Sequence, residues 1–199
     1  MIRSLLFLSA LLITSCTVLP EQVPVDLYLL PPPTLEPAIA GPRLPALRID
    51  RPVTSQALSG NRLLIMAADN QYKAFPDMRL ATPAPLLWRD WLLDAFWRDG
   101  RITGLSAASE GLQSELELGG TLRAFHVDNT GNAPQAVIQY DATLISTSGR
   151  SIIARRRFES RQTVVAMDAS SAISALGVAA NQLVKELIQW TVEQGQPRP

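Results

Sequence analysis

The chain has 199 residues, 47% of them apolar, with 18 basic and 18 acidic side chains and a formal net charge of zero. That length and apolar share suit one domain of ordinary size. The even balance lacks the strongly basic face that nucleic-acid binding demands, so neutral, apolar or protein partners are expected.

Residues 1–15 read as a secretion signal. Arg3 and the free amine precede an apolar run over residues 5–13, broken only by Ser9. The run fits a signal-peptide core and is too short to span a bilayer. Thr14 and Ser15 follow, then Cys16, the only cysteine. Ile13-Thr14-Ser15-Cys16 resembles the bacterial lipobox, in which an aliphatic and two small residues precede a cysteine that is lipidated and becomes the mature N-terminus. A lone cysteine in a secreted chain has no disulfide partner, and several acyl chains on one residue hold a protein on a membrane almost permanently. Thr17 stands where an aspartate often marks inner-membrane retention in this class, which favours the outer membrane. No second apolar run approaches the roughly 20 residues of a spanning helix, so the mature chain is expected to be lipid-anchored and not integral.

Residues 20–45 hold eight of the fifteen prolines, including Pro31-Pro32-Pro33. Such composition favours extended, semi-rigid backbone, and residues 16–43 are expected to form a tether. Within it, residues 27–30 can add as an edge strand. The domain proper is expected over residues 44–195, with residues 196–199 a frayed tail. Residues 47–49 and 62–66 read as strands, and Asp69-Asn70 as a turn leading into a return arm over residues 71–75.

The first helix begins after Thr82-Pro83, which supply a cap and a first-turn proline. Leu87, Trp88, Trp91, Leu92, Ala95 and Phe96 recur at helical spacing and are expected to pack on a sheet. Trp97 lies off that stripe and is expected to be exposed. Asp94 and Arg98 can pair across one turn, and Gly100 ends the helix. Four strands follow over residues 102–107, 114–127, 136–146 and 151–164. Turn signals at residues 128–132 and 146–149 join the last three as an antiparallel meander. Gly119-Gly120 suggests a bulge. A last helix starts near Asp168 or Ser170 and ends near Glu193, with Ile173, Leu176, Ala180, Leu183, Leu187 and Trp190 on its apolar face. The fold class is therefore α+β: two helices packed on one face of a mostly antiparallel sheet.

Catalytic patterns are absent from the sequence, and neither an enzyme nor a cofactor is expected. His126, the single histidine, lies in a strand without a carboxylate or cysteine to position it as a base. One histidine and a lipidated cysteine cannot build a typical zinc site. Glu115 and Glu117 read as the wet side of a strand. Arg155-Arg156-Arg157 is the one basic cluster; strand alternation puts Arg155 and Arg157 on one face and Arg156 on the other. A solvated edge or protein contact is its simplest role, with anionic lipid contact as an alternative.

Beyond these local patterns the chain resembles the ABC-type transport auxiliary lipoproteins, the PqiC/YmbA-like family that accompanies MCE-domain lipid transport systems. Tyr28-Leu29-Leu30-Pro31 is similar to the family's early tyrosine-leucine-proline segment. Leu47-Arg48-Ile49-Asp50-Arg51-Pro52 resembles its first core strand, and Leu63-Leu64-Ile65-Met66 with Gln71-Tyr72-Lys73-Ala74-Phe75 the strand pair that follows. Arg79-Leu80-Ala81-Thr82-Pro83 resembles the approach to its first helix, with Leu80 where tryptophan is usual. The resemblance implies an outer-membrane lipoprotein facing the periplasm. Such a protein docks onto an MCE-domain partner served by a permease and an ATPase, and some members of the family form homo-oligomeric rings. Two other classes stay open at the level of sequence: a plug or pilot for an outer-membrane barrel, and a lipid-anchored enzyme.

Overall fold

The computed structural model describes residues 25–197. The signal segment, Cys16 and Thr17 lie outside the described residues. Ten strands and two α-helices follow in chain order. The strands are β1 (Asp26–Tyr28), β2 (Leu44–Ile49), β3 (Val53–Thr54), β4 (Leu64–Met66), β5 (Tyr72–Ala74) and β6 (Met78–Leu80), then β7 (Ile102–Ala107), β8 (Leu116–Asp128), β9 (Gln135–Ser146) and β10 (Ser151–Thr163). Helix α1 (Ala84–Asp99) precedes β7, and helix α2 (Ala169–Gln194) follows β10. The α+β class and the strand–helix–strand–helix order agree with the sequence.

The sheet is mixed and not purely antiparallel: its two longest ladders are antiparallel, as expected, and several short ones are parallel. Strands β8, β9 and β10 form the predicted antiparallel meander. On the other side of β8, however, three short strands dock in succession along its length, all parallel to it. Strand β2 takes Leu116 to Leu118, β3 takes Thr121 and Leu122, and β4 takes His126 to Asp128. Strand β7 then adds to β2, again parallel. The long connection from β2 to β7 through α1 is what allows parallel pairing, which a tight hairpin cannot supply. Strands β4 and β5 form the expected hairpin. Strand β1 does not join the main sheet and instead pairs in parallel with β6.

Alternation along β8 and β9 places Leu118, Leu122, Phe125 and Val127 against Ile138, Tyr140 and Leu144 in one core, which both helices cover. Helix α1 contributes Leu87, Trp88, Trp91, Leu92, Ala95 and Phe96, the stripe read from the sequence. Trp88 and Trp91 stack at 5.6 Å, and Trp88 meets the ring of Tyr140 edge-on. The Thr82 cap does not form. Pro83 holds the cap position, Pro85 sits in the first turn, and the Thr82 hydroxyl is buried without a partner among the described residues. Gly100 closes α1 by donating its N–H to the Phe96 carbonyl. Helix α2 is capped by Asp168, whose carboxylate accepts from the Ser171 N–H at 2.8 Å and from the Ser170 and Ser171 hydroxyls. That backbone hydrogen bond, with the two hydroxyls, holds the Asp168 carboxyl below the ordinary aspartate range.

Two local expectations shift. The break in β8 register falls at Arg123, between Leu122 and Ala124, not at Gly119-Gly120. Gly120 serves a different need: at φ +142°, a Cβ there would stand 2.0 Å from the Asp141 carbonyl oxygen. Only glycine permits that approach of β8 to β9.

The expected tether over residues 16–43 is also revised where it can be seen. From Leu30 to Ala38 the proline-rich segment crosses both helices as a strap. Leu30 is buried in the core. The Trp91 indole donates to the Pro31 carbonyl at 2.8 Å, and the Asn181 side chain of α2 accepts from the Thr34 N–H at 2.7 Å. Ala38 N–H then reaches the Asp99 carbonyl at the end of α1. The physical reason is complementary need. A buried indole N–H requires an acceptor, and an extended proline run carries carbonyls that no internal hydrogen bond uses.

Candidate functional surface

The uncovered face of β8, β9 and β10 is built by the same alternation that builds the core. Residues between the buried ones point away from the helices: Thr121 and Arg123 on β8, Gln139, Asp141 and Thr143 on β9, and Arg155, Arg157, Glu159 and Arg161 on β10. Register sets Asp141 between Thr121 and Arg157, and Thr143 between Gly119 and Arg155. Asp141 is gripped from both sides. Arg157 forms a fork to it, Nε to Oδ1 at 2.5 Å and Nη2 to Oδ2 at 2.8 Å, while Arg123 Nε donates to Oδ2 at 3.0 Å. The Arg157 hydrogen bond, assisted by Arg123, holds the Asp141 carboxyl at about 2.

Further along the face the charges balance locally. Arg161 bonds Glu159 at 2.7 Å and Asp128 at 3.0 Å, and Asp128 also accepts from Thr130. Arg48 pairs with Glu117. Arg155, by contrast, is exposed and makes no ion pair with a described residue. Arg156 points the other way, as alternation requires, reaching Glu186 of α2 at 3.0 Å and lying 4.7 Å over the Phe158 ring. Thr121, Arg123, Asp141, Thr143, Arg155 and Arg157 thus line a depression of about 540 Å³. The arginine triplet is legible in the sequence, but Arg123 is not, because its partner on β9, Asp141, is set by the pairing of β8 with β9.

The remaining singled-out residues disperse. His126 is buried on this same face beside the β4–β5 hairpin, its ring edge-on to Tyr72 at 5.3 Å and its Nδ1 without a partner among the described residues. Burial lowers its pKa, while Asp128 acts in the opposite direction. Glu115 lies just before β8 and Glu117 within it, the latter on Arg48. Trp97 is 74% exposed, as its place off the stripe predicts. On the N-terminal segment, Leu27 and Leu29 turn outward, 68% and 63% exposed, while Leu30 turns into the core. No group of three or more metal-ligating side chains occurs among the described residues. No described helix is long and apolar enough to cross a membrane.

This arrangement defines a class of small α+β domain with helices on one sheet face and an ionic opposite face. The chain belongs to the ABC-type transport auxiliary lipoprotein component family, whose match spans residues 28–188. The match begins within β1 and so takes in the strap. Among solved structures, the chain is similar to a Xanthomonas campestris protein of the DUF330 family. Identity is 23%, the TM-score is 0.78, and the alignment covers 86% of this chain and 97% of that one. A second, uncharacterized protein aligns at 19% identity and TM-score 0.65, over 84% of this chain and 99% of the other. The protein CT253 of Chlamydia trachomatis aligns at 8% identity and TM-score 0.52, over 76% and 98%. At these identities the likeness is one of fold. No curated protein matches the chain.

Proposed function

We propose that this protein is a periplasm-facing outer-membrane lipoprotein that serves a lipid transport system by docking onto an MCE-domain protein, itself served by a permease and an ATPase. The observation that carries the reading is family membership across residues 28–188. In this reading residues 1–15 are removed and Cys16 carries the acyl chains. Asp26, the start of β1, lies ten chain steps after Cys16. Fully extended they reach about 35 Å, so the domain stays close to the membrane surface and the packed strap adds no further reach. The role is that of a non-catalytic adaptor, and its exposed apolar side chains, Leu27, Leu29 and Trp97, offer area for a protein partner.

Photo-crosslinking in cells tests it. A crosslinkable residue at position 29 or 97 is expected to capture an MCE-domain protein, and Cys16→Ser is expected to release the protein into the soluble periplasmic fraction. Capture of an outer-membrane barrel protein without any MCE-domain protein would overturn the docking role. Membrane retention of Cys16→Ser would overturn the anchor.

A further inference from the structure

The depression on the uncovered sheet face carries more positive charge than its own carboxylate satisfies. Three guanidiniums, Arg123, Arg155 and Arg157, surround a single acid, Asp141. Arg155 is the one without an ion-pair partner among the described residues. Each of the other two uses only part of its donor set on Asp141, since a guanidinium has five N–H donors. Thr121 and Thr143 also line the depression, and neither threonine hydroxyl makes a side-chain hydrogen bond among the described residues. We infer that this depression is a binding site for a phosphoryl anion, a phosphate mono- or diester held between Arg123, Arg155 and Arg157.

Geometry and chemistry favour phosphate over a carboxylate ligand. Strands β8 and β10 flank β9, each about 4.8 Å from it, and same-face residues on one strand lie about 7 Å apart, so Arg123 borders the depression from one side and Arg155 and Arg157 from the other. A tetrahedral anion with several acceptor oxygens uses donors arranged that way. A planar carboxylate uses a single fork, which Arg155 alone could supply, and leaves the unused N–H groups of Arg123 and Arg157 without an acceptor. A volume of about 540 Å³ exceeds what a bare phosphate needs and leaves room for an ester substituent. Asp141 fixes Arg123 and Arg157 in place, so little side-chain freedom is lost when a ligand arrives. The site does not depend on the docking reading and stands or falls separately from it.

The test uses the full-length chain in a nonionic detergent, labelled with 15N-arginine. The probes are inorganic phosphate and dihexanoyl phosphatidylglycerol below its micellar concentration, each against chloride at matched ionic strength. Saturable shifts of arginine Nε–Hε signals are expected. Arg155→Gln, which breaks no ion pair, is expected to weaken binding roughly fivefold, the scale of one charge-assisted hydrogen bond near water. Arg161→Gln, on the same face but outside the depression, is expected to leave binding unchanged. Asp141→Asn is expected to tighten it, because removing the one negative charge in the depression outweighs the loosened hold on Arg123 and Arg157. Tighter binding of the lipid than of phosphate assigns the site to a lipid headgroup, and equal affinity assigns it to the phosphate group alone. A response that chloride reproduces, a response to a polyglutamate peptide but to neither phosphate probe, or unchanged binding in Arg155→Gln would each overturn the inference.

Discussion

Replacing Gly177 by alanine sets two effects of opposite sign against each other. Gly177 lies inside α2, where alanine is favoured over glycine by about 1 kcal/mol. Yet an alanine Cβ there would stand 2.8 Å from Cδ and Cγ of Pro31 and 3.2 Å from its Cβ. The pyrrolidine ring is rigid, so the strap itself must lift. Overpacking of this kind costs about 2 kcal/mol. A lifted strap also lengthens the bond from the Trp91 indole to the Pro31 carbonyl, now 2.8 Å, and a hydrogen bond is worth about 1 kcal/mol. The clash wins, and Gly177→Ala is expected to destabilise the domain by about 2 kcal/mol. Urea unfolding followed by tryptophan fluorescence measures this directly. In a Pro31→Gly background the ring is gone, and the same alanine is expected to be neutral or stabilising by up to about 1 kcal/mol. A stabilising Gly177→Ala in the parent chain, or the absence of coupling between the two substitutions, would refute the strap as a packed element.

Gly120→Ala is expected to fold poorly, losing more than about 3 kcal/mol, because positive φ and a 2.0 Å contact with Asp141 act together; chemical denaturation or loss of soluble yield reports it. Arg101 grips the buried Asp99 carboxylate at 2.8 and 3.0 Å. Arg101→Met leaves that charge unpaired at a cost of about 3 kcal/mol, and adding Asp99→Asn is expected to recover much of the loss in the same unfolding assay. His126 has a folded-state pKa below its unfolded value. Its neutral ring therefore favours folding above about pH 6.5, and stability falls as pH drops below that value, since the unfolded chain takes up the proton first. His126→Phe is expected to flatten the unfolding midpoint against pH in that window. Trp97→Ser is expected to change stability by less than about 0.5 kcal/mol, given its exposure, while reducing capture of a protein partner in cells.

Periodicity made part of this fold legible. The α1 stripe, the outward Trp97, the β8–β9–β10 meander and the opposed faces of the arginine triplet all follow from side-chain period and turn residues. What alternation does not encode is which strand a given strand joins. Residues 47–49 and 62–66 read as strands from their own composition, but their parallel docking along β8 depends on contacts far away in sequence. The glycine pair illustrates a related limit. Gly119-Gly120 announced an unusual backbone, and the structure uses Gly120 for close approach while the register break sits at Arg123, a residue with no local signal for it. The strap escaped for a third reason. Proline content reports backbone stiffness, whereas its packing was decided by a tryptophan and an asparagine 60 and 147 positions away. Of the uncovered face, the triplet could be read in advance, while Arg123 and the shared Asp141 needed the strand register.

The strap also decides where a mechanical load would enter the domain. Tension on the chain before residue 25 meets the short β1–β6 pair first, then the lock formed by Pro31, Trp91 and Gly177. Extended proline backbone has almost no slack to give, so a pull is handed at once to both helices and does not run on to β2. A domain held this way moves as one body with whatever tugs its N-terminal chain, and its sheet stays in register while it does so.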